Sequence, residues 1–162
     1  MSVSIRPAAA DDVDFLVELY ADDDVRPFLA AGRPYDREWV VANLESLVVA
    51  ELDGARAGAM AWQVESERNG IVHVSGLAVH PRFRGRRLAD EAARLFQRHL
   101  LLERGFHRIE LEVYGFNERA QRHAERSGFV REGVKRQAYR RGDGWVDSVL
   151  YGLVAEDLDT PR

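Results

Sequence analysis

Between residues 47 and 79 the hydrophobic period is two, and two turn signals cut the run into three pieces. Leu47-Val48-Val49-Ala50 reads as a strand, Asp53-Gly54 as a turn and residues 57–64 as the hairpin partner. Asn69-Gly70 is a second turn, of the kind that favours type I′ geometry, and residues 71–79 form the next strand. Three strands joined this closely pair antiparallel, so the middle of the chain is a meander on which the remaining elements must build.

The flanks supply helices and further strands. Val3 and Ile5 alternate with polar residues before Pro7, a short first strand. Asp11 or Asp12 opens an amphipathic helix whose stripe is Val13, Leu16, Val17 and Tyr20, widened by Phe15 and Leu19. Residues 22–35 hold Pro27, Gly32 and Pro34 and read as loop with at most a short helical turn. Asp36 is placed to cap a second helix carrying Trp39, Val40 and Leu44. After Pro81, residues 84–104 place Leu88, Ala92, Leu95, Phe96 and Leu100 on one helical face, with Gly105 as C-cap. Residues 108–114 alternate as a strand, Asn117 caps a helix running to Ser127 and Gly128, and residues 129–139 and 145–153 form a last hairpin across Gly142-Asp143-Gly144. The order is β-α-α-β-β-β-α-β-α-β-β: one α+β domain over residues 1–162, with a central mixed, mostly antiparallel sheet of about seven strands flanked by four helices. No linker divides it.

Composition removes several classes. The chain has no cysteine, which excludes a disulfide framework, a thiolate nucleophile and a cysteine metal site, and which fits a cytoplasmic protein. No apolar run reaches the ~20 residues that span a bilayer, and residues 1–6 lack the apolar core of a signal peptide. The formal charge of −4 conceals a division. Residues 82–141 contain 16 basic and 8 acidic side chains, a net of +8, whereas the rest of the chain carries a net of −12. Of the 23 basic residues all but Lys135 are arginine. Glutamates interleave with those arginines at helical spacing, so a nucleic-acid partner is not expected, nor is a membrane.

The strongest local signal is the junction Val79-His80-Pro81-Arg82-Phe83-Arg84-Gly85-Arg86-Arg87-Leu88-Ala89. A strand ends, an Arg-Gly turn comes next and a helix begins. Helix N-termini present free N–H groups and the positive end of the macrodipole, and arginines add charged donors, so the segment suits a phosphate or pyrophosphate. It is neither a P-loop nor a dinucleotide-binding Gly-x-Gly-x-x-Gly. The alternative is a solvated basic turn before an ordinary helix.

These residues do not stand alone. Leu77-Ala78-Val79-His80-Pro81, Arg84-Gly85-Arg86-Arg87-Leu88-Ala89, Arg108-Ile109-Glu110-Leu111-Glu112-Val113-Tyr114, Asn117-Glu118-Arg119-Ala120 and Ser127-Gly128-Phe129 occur in this order along the chain. Over residues 72–153 the chain thereby resembles the GCN5-related N-acetyltransferase (GNAT) superfamily, most closely its ribosomal-protein N-terminal and spermidine acetyltransferase branch. The resemblance implies acetyl-CoA as co-substrate and no metal. It implies that the pyrophosphate rests on the turn formed by Arg84, Gly85, Arg86, Arg87, Leu88 and Ala89, that the pantetheine arm pairs along Leu77, Ala78 and Val79, and that Asn117 contacts the arm. Two residues depart from the family pattern. Arg87 stands where the turn has an internal glycine, a substitution accommodated if its backbone is helical. Ala124 stands where the family often has a tyrosine that protonates the departing thiolate, which leaves Tyr114, His123 or water for that task.

For the base that deprotonates the acceptor, the resemblance points to His73, at a position where many members carry glutamate. Imidazole titrates near neutral pH, as a general base requires; the alternative is a half-exposed strand histidine with no chemical role. Glu112 and Tyr114 share the strand face opposite Ile109, Leu111 and Val113. Glu112 can bind a cationic acceptor, position a water or pair with an arginine; Glu65 and Glu67 are weaker candidates. His80, His99, His107 and His123 have no metal-ligand spacing and read as structural or surface residues. The expected reaction is acetyl transfer from acetyl-CoA to a primary amine by direct attack in a ternary complex, with a backbone N–H near Ala78 or Val79 polarising the carbonyl. The acceptor is a small-molecule amine or a protein N-terminus. The competing reading is an acyl-CoA-binding module of the same fold with little catalysis. Homodimers occur in the related branch, so the resemblance allows a homodimer and leaves the oligomeric state open.

Overall fold

The computed structural model describes residues 1–29 and 34–158. The strands are β1 (Val3–Pro7), β2 (Leu47–Leu52), β3 (Ala55–Ser66), β4 (Ile71–Val79), β5 (Arg108–Tyr114), β6 (Val130–Arg141) and β7 (Gly144–Val154). The α-helices among the described residues are α1 (Val13–Ala21), α2 (Arg37–Ala42), α3 (Leu88–Arg98) and α4 (Glu118–Arg126). The seven strands form one mixed sheet in the order β1-β2-β3-β4-β5-β7-β6. β4 runs parallel to β5, whereas β1–β2, β2–β3, β5–β7 and β6–β7 are antiparallel. The chain divides into two compact units, Met1–Gln63 with Ser75–Phe96 and Val64–Val74 with Gln97–Arg162. The divisions fall inside β3, β4 and α3, so none coincides with a linker.

In the first unit, the α1 stripe is buried as its spacing predicts. Val13, Leu16, Leu19 and Tyr20 join Val25, Tyr35, Val40, Leu47, Val49, Ala59, Ala61 and Ala78 in one apolar core, with Phe15, Val17 and Trp39 packed against it. Asp36 caps α2 by accepting from the Trp39 N–H at 2.9 Å. Among its described residues the loop after α1 contains one 3-10 turn, Arg26–Phe28; Gly32, which marks that loop in the sequence, lies outside the described residues. Asp12 does not cap α1 with its side chain. It is fully buried and accepts from Arg6 at 2.7 and 2.9 Å, from Arg56 Nε at 2.6 Å and from the Ala9 N–H at 2.8 Å. A carboxylate this enclosed persists only when each oxygen has donors, and here both do. The Arg6 bonds, opposed by burial and aided by Ala9 and Arg56, hold its carboxyl well below the usual range.

Three local expectations are corrected. The β2–β3 turn has positive φ at both Asp53 and Gly54, as type I′ requires, but at Asn69-Gly70 only the glycine is left-handed. Residues 67–70 instead make a longer connection, in which Gly70 N–H bonds Glu67 O at 3.2 Å and Ser66 Oγ accepts from Asn69 N–H at 3.2 Å. The helix read from Arg84 begins at Leu88, because the four preceding residues form the turn. It ends in a π turn, His99–Glu103, before Gly105 takes up φ +75. Leu95, counted on the buried face, is exposed.

Candidate active site

Within the first unit, the end of β4 is shaped by two glycines. Gly76 lies inside the strand with φ +62, a conformation that breaks the pleat and re-aims residues 77–79. Its carbonyl accepts from the Tyr20 hydroxyl at 2.9 Å. Gly58 on β3 approaches so closely that a Cβ there would stand 2.6 Å from Ala78 O. Beyond Gly76, Leu77 is exposed and Ala78 buried.

Leu88, Ala57 and Leu52 form a small core, with Val79 and Phe83 packed on it, and this anchors the start of α3 beneath the turn. His80 Nδ1 accepts from the Arg82 N–H at 3.3 Å, and Phe15 and Phe83 flank its ring. Arg84 is extended, Gly85 has φ +77 and Arg87 has φ +57, with Arg86 between them outside the left-handed region. Alternation of this kind turns successive N–H groups toward one side and makes an anion-binding concavity. The helical backbone that would have accommodated Arg87 is therefore absent: the residue takes the conformation that glycine favours. Arg82, Arg86 and Arg87 are exposed, and Arg86 lies over the Phe83 ring at 5.9 Å. The Arg84 guanidinium is committed elsewhere. It donates to Val79 O at 3.1 Å, to Asp24 at 2.9 Å and to Asp22 at 2.7 Å, and this bond to Asp22 is the main reason that carboxyl is held below its ordinary value.

In the second unit, β4 and β5 share a ladder of three pairs, Ile71↔Arg108, Val72↔Ile109 and His73↔Glu110. His73 is the last rung and is half-buried; among the described residues its imidazole has no hydrogen-bond or ion-pair partner. Further along β5, Glu112 is the centre of a polar cluster. It accepts from Lys135 Nζ, from the Tyr139 hydroxyl at 2.7 Å and from Ser148 Oγ at 2.9 Å. Burial pushes the Glu112 carboxyl up, but these three donors outweigh it and the net direction is down. Burial first, then the bond to Glu112, pushes the Tyr139 phenol up to about 12. Glu112 is thus an ionised acceptor whose partner is the single lysine, and Lys135, Tyr139 and Ser148 were not foreseen from the sequence.

Tyr114, two residues on, stacks on Phe116 with centroids 5.3 Å apart and meets Tyr139 edge-on at 5.6 Å. The Arg141 guanidinium lies over the Phe116 ring at 4.3 Å. Asn117 caps α4, its carboxamide oxygen accepting from the Ala120 N–H at 3.1 Å. Ala124 is buried and has no proton to give. Glu65 and Glu67 are exposed. His99 bonds Glu103 at 2.7 Å, and among the described residues no group of three His, Cys, Asp or Glu side chains has metal-binding spacing. No helix of the described residues is long and apolar enough to cross a membrane.

The acetyltransferase (GNAT) family matches residues 13–129, which include β4, the turn after it and the helix capped by Asn117. The chain belongs to this family. An uncharacterized N-acetyltransferase of the SPbeta prophage of Bacillus subtilis (strain 168) is 28% identical over 127 residues, covering 76% of this chain and 71% of the relative. A GNAT-family acetyltransferase from Bacillus anthracis superposes with a TM-score of 0.83 at 21% identity over 96% of both chains. A spermidine N-acetyltransferase chimera from Vibrio cholerae and hSSAT superposes with a TM-score of 0.84 at 16% identity, over 99% of this chain and 100% of that one. The two structural likenesses carry the GNAT fold; the family membership carries acetyl transfer, with acetyl-CoA as the family's acyl donor. The residues present fit that donor. The alternating φ values at Gly85 and Arg87 open onto a helix start, exposed arginines surround them, and β4 runs on past its last rung with β5.

Proposed function

We propose that the chain acetylates a primary amine from acetyl-CoA by direct attack in a ternary complex. The observation that carries this reading is the turn before α3, where Gly85 and Arg87 both hold φ above +50 ahead of the buried anchor Leu88. A backbone kept in that conformation against the preference of arginine favours a bound anion as its purpose.

Acetyl-CoA supplies a thioester whose carbonyl carbon the amine attacks. On this reading Gly85, Arg86, Arg87, Leu88 and Ala89 hold the pyrophosphate, chiefly through backbone N–H groups. Arg84 shapes the turn rather than meeting phosphate, because its guanidinium already serves Val79, Asp22 and Asp24. Leu77, Ala78 and Val79 pair with the pantetheine arm, and Asn117 contacts it through the amide nitrogen, its oxygen being used in the cap. His73 takes the proton from the acceptor nitrogen as the N–C bond forms. Tyr114 gives a proton to the sulfur as the C–S bond breaks, in place of the tyrosine that Ala124 lacks. Glu112, ionised and saturated with donors, holds Tyr139 edge-on to Tyr114 and is a positioning residue in this scheme. The acceptor is a small amine or a protein N-terminus, and the reaction takes place in the cytoplasm.

The burial of Ala124 favours a second reading, an acyl-CoA-binding module with little turnover. One pair of measurements separates the two. Saturating acetyl-CoA raises the melting temperature on either reading, by mass action; an unmoved melting curve rejects both. Thiol release across a panel of amines, lost in His73→Ala, is expected for the enzyme. Release that survives in His73→Ala removes the base assignment, and no release from any amine leaves the binding module.

A further inference from the structure

The core of the first unit contains one phenol that does more than fill space. Tyr20 is 1% exposed and held from two sides. Tyr35 meets it edge-on at 4.9 Å and Trp39 at 6.3 Å, while Tyr35 and Trp39 stack on each other at 3.8 Å. Two edge-on neighbours leave the ring no freedom to swing, so its hydroxyl has one direction, and that direction ends on the carbonyl oxygen of Gly76, 2.9 Å away. The fit is tight on both sides. A Cβ on Gly76 would stand 3.1 Å from Tyr20 Oη and 3.3 Å from Tyr35 Cε2.

The consequence lies on the far side of the peptide bond. The described chain has no cis peptide, so the Gly76 C=O and the Leu77 N–H of the same planar unit point in opposite directions. In a regular strand both would lie in the sheet, directed at neighbouring strands. Here the carbonyl is drawn onto Tyr20, in the core beneath β4, so the Leu77 N–H is turned to the opposite side. We infer that Tyr20 is a positioning residue for acetyl transfer, which fixes the 76–77 peptide so that the Leu77 N–H is the donor that meets the thioester carbonyl. This rests on the acetyl-transfer reading above, and it narrows the donor, which the sequence places near Ala78 or Val79, to the residue straight after Gly76. A donor of this kind acts only if it is aimed before the substrate arrives, because one that must reorient pays back its advantage during the reaction.

Tyr20→Phe removes one oxygen and leaves the ring among its neighbours. Carbonyl and amide NMR shifts of Gly76 and Leu77 in the ligand-free protein report the peptide directly and need no activity. Steady-state kinetics report its use: kcat is expected to fall about tenfold, with CoA binding and the KM of the amine within about twofold of wild type, the pattern of an interaction made only in the transition state. Gly76→Ala is expected to show the same split if it folds. Shifts at Gly76 and Leu77 that do not move in Tyr20→Phe overturn the positioning role, as does an unchanged kcat. A rise in KM with kcat unchanged also overturns it, since that marks loosened binding rather than a misaimed donor. Absence of thiol release from the wild-type protein overturns the acetyl-transfer reading and this use of the donor with it, whereas the NMR arm, which needs no turnover, reports separately whether Tyr20 fixes the 76–77 peptide.

Discussion

Single backbone angles decide most of what the proposed acetyl-CoA site can do. Arg87 illustrates the cost of meeting them with the wrong side chain. At φ +57 a residue with a Cβ is strained, by roughly 1–2 kcal/mol, and glycine is not. Arg87 was legible as a departure from the family's glycine, but not as a strained residue, because a sequence records which side chain is present and not which φ the turn demands. Gly76 was legible in principle: an isolated glycine inside a strand pattern signals a bulge. The strand read through it because its neighbours kept the alternation. The strain at Arg87 is measurable. Arg87→Gly and Arg87→Ala remove the same charge, yet the glycine variant is expected to be more stable by about 1 kcal/mol in urea unfolding, since alanine keeps the Cβ and only glycine is relieved. Equal stabilities would mean that the turn relaxes when the arginine is removed, and that the left-handed angle is not imposed by the fold.

Elements are more legible in the sequence than the joints between them. Every strand and helix expected from periodicity is found, and the first strand, the α2 cap at Asp36 and the α4 cap at Asn117 are where their residues placed them. The start of α3 is hidden in the sequence because Arg84, Arg86 and Arg87 are good helix formers and continue a helical pattern; what stops them is φ > 0 at Gly85 and Arg87, to which the periodicity of side chains is blind. The polar clusters were invisible for another reason. Asp12 with Arg56, and Glu112 with Lys135, Tyr139 and Ser148, join elements distant in sequence, and no spacing rule brings such pairs together. Arg84 is the clearest case, since its partners Asp22 and Asp24 lie 62 and 60 residues away. It straps the loop after α1 to the end of β4 and so fixes the turn from outside. Arg84→Lys keeps the charge but loses the planar fork and the Nε–H to Val79 O. Acetyl-CoA affinity is expected to fall about tenfold, as for loss of one charge-assisted hydrogen bond that orders a site. Limited proteolysis should cut sooner near residues 22–24. Calorimetry that finds an unchanged dissociation constant would show that the strap is not coupled to the turn.

At the scale of the molecule, the division of charge along the chain becomes a prediction about acid. Each unit has its own carboxylates held below their ordinary values: Asp12 and Asp22 in the first, by Arg6 and Arg84, and Glu112 and Glu132 in the second, the latter by Arg108. A carboxyl depressed by folding contributes stability that is fully present above its unfolded value, near pH 4, and is lost as pH falls through the folded one. Stability should therefore be flat in pH from about 5 to 7 and decline below about 4, where the unfolded chain binds more protons than the native one. Asp12 is the most enclosed of the four and the most telling to change. Asp12→Asn leaves Arg6 and Arg56 without their common acceptor. The expected loss at pH 7 is about 2 kcal/mol, less than for a fully buried pair because both arginines keep about a third of their side-chain surface in water. The variant should also lose less on acidification, its slope below pH 4 being smaller by up to about 1.4 kcal/mol per pH unit, the contribution of one proton. Glu112→Gln is expected to flatten the acid limb in the same sense, through the second unit. Urea unfolding at pH 7, 4 and 3, monitored by circular dichroism, separates the outcomes. An Asp12→Asn protein that is weaker at pH 7 but falls along a line parallel to wild type would show that the cluster stabilises by packing and hydrogen bonds, with its charge contributing nothing that pH can remove.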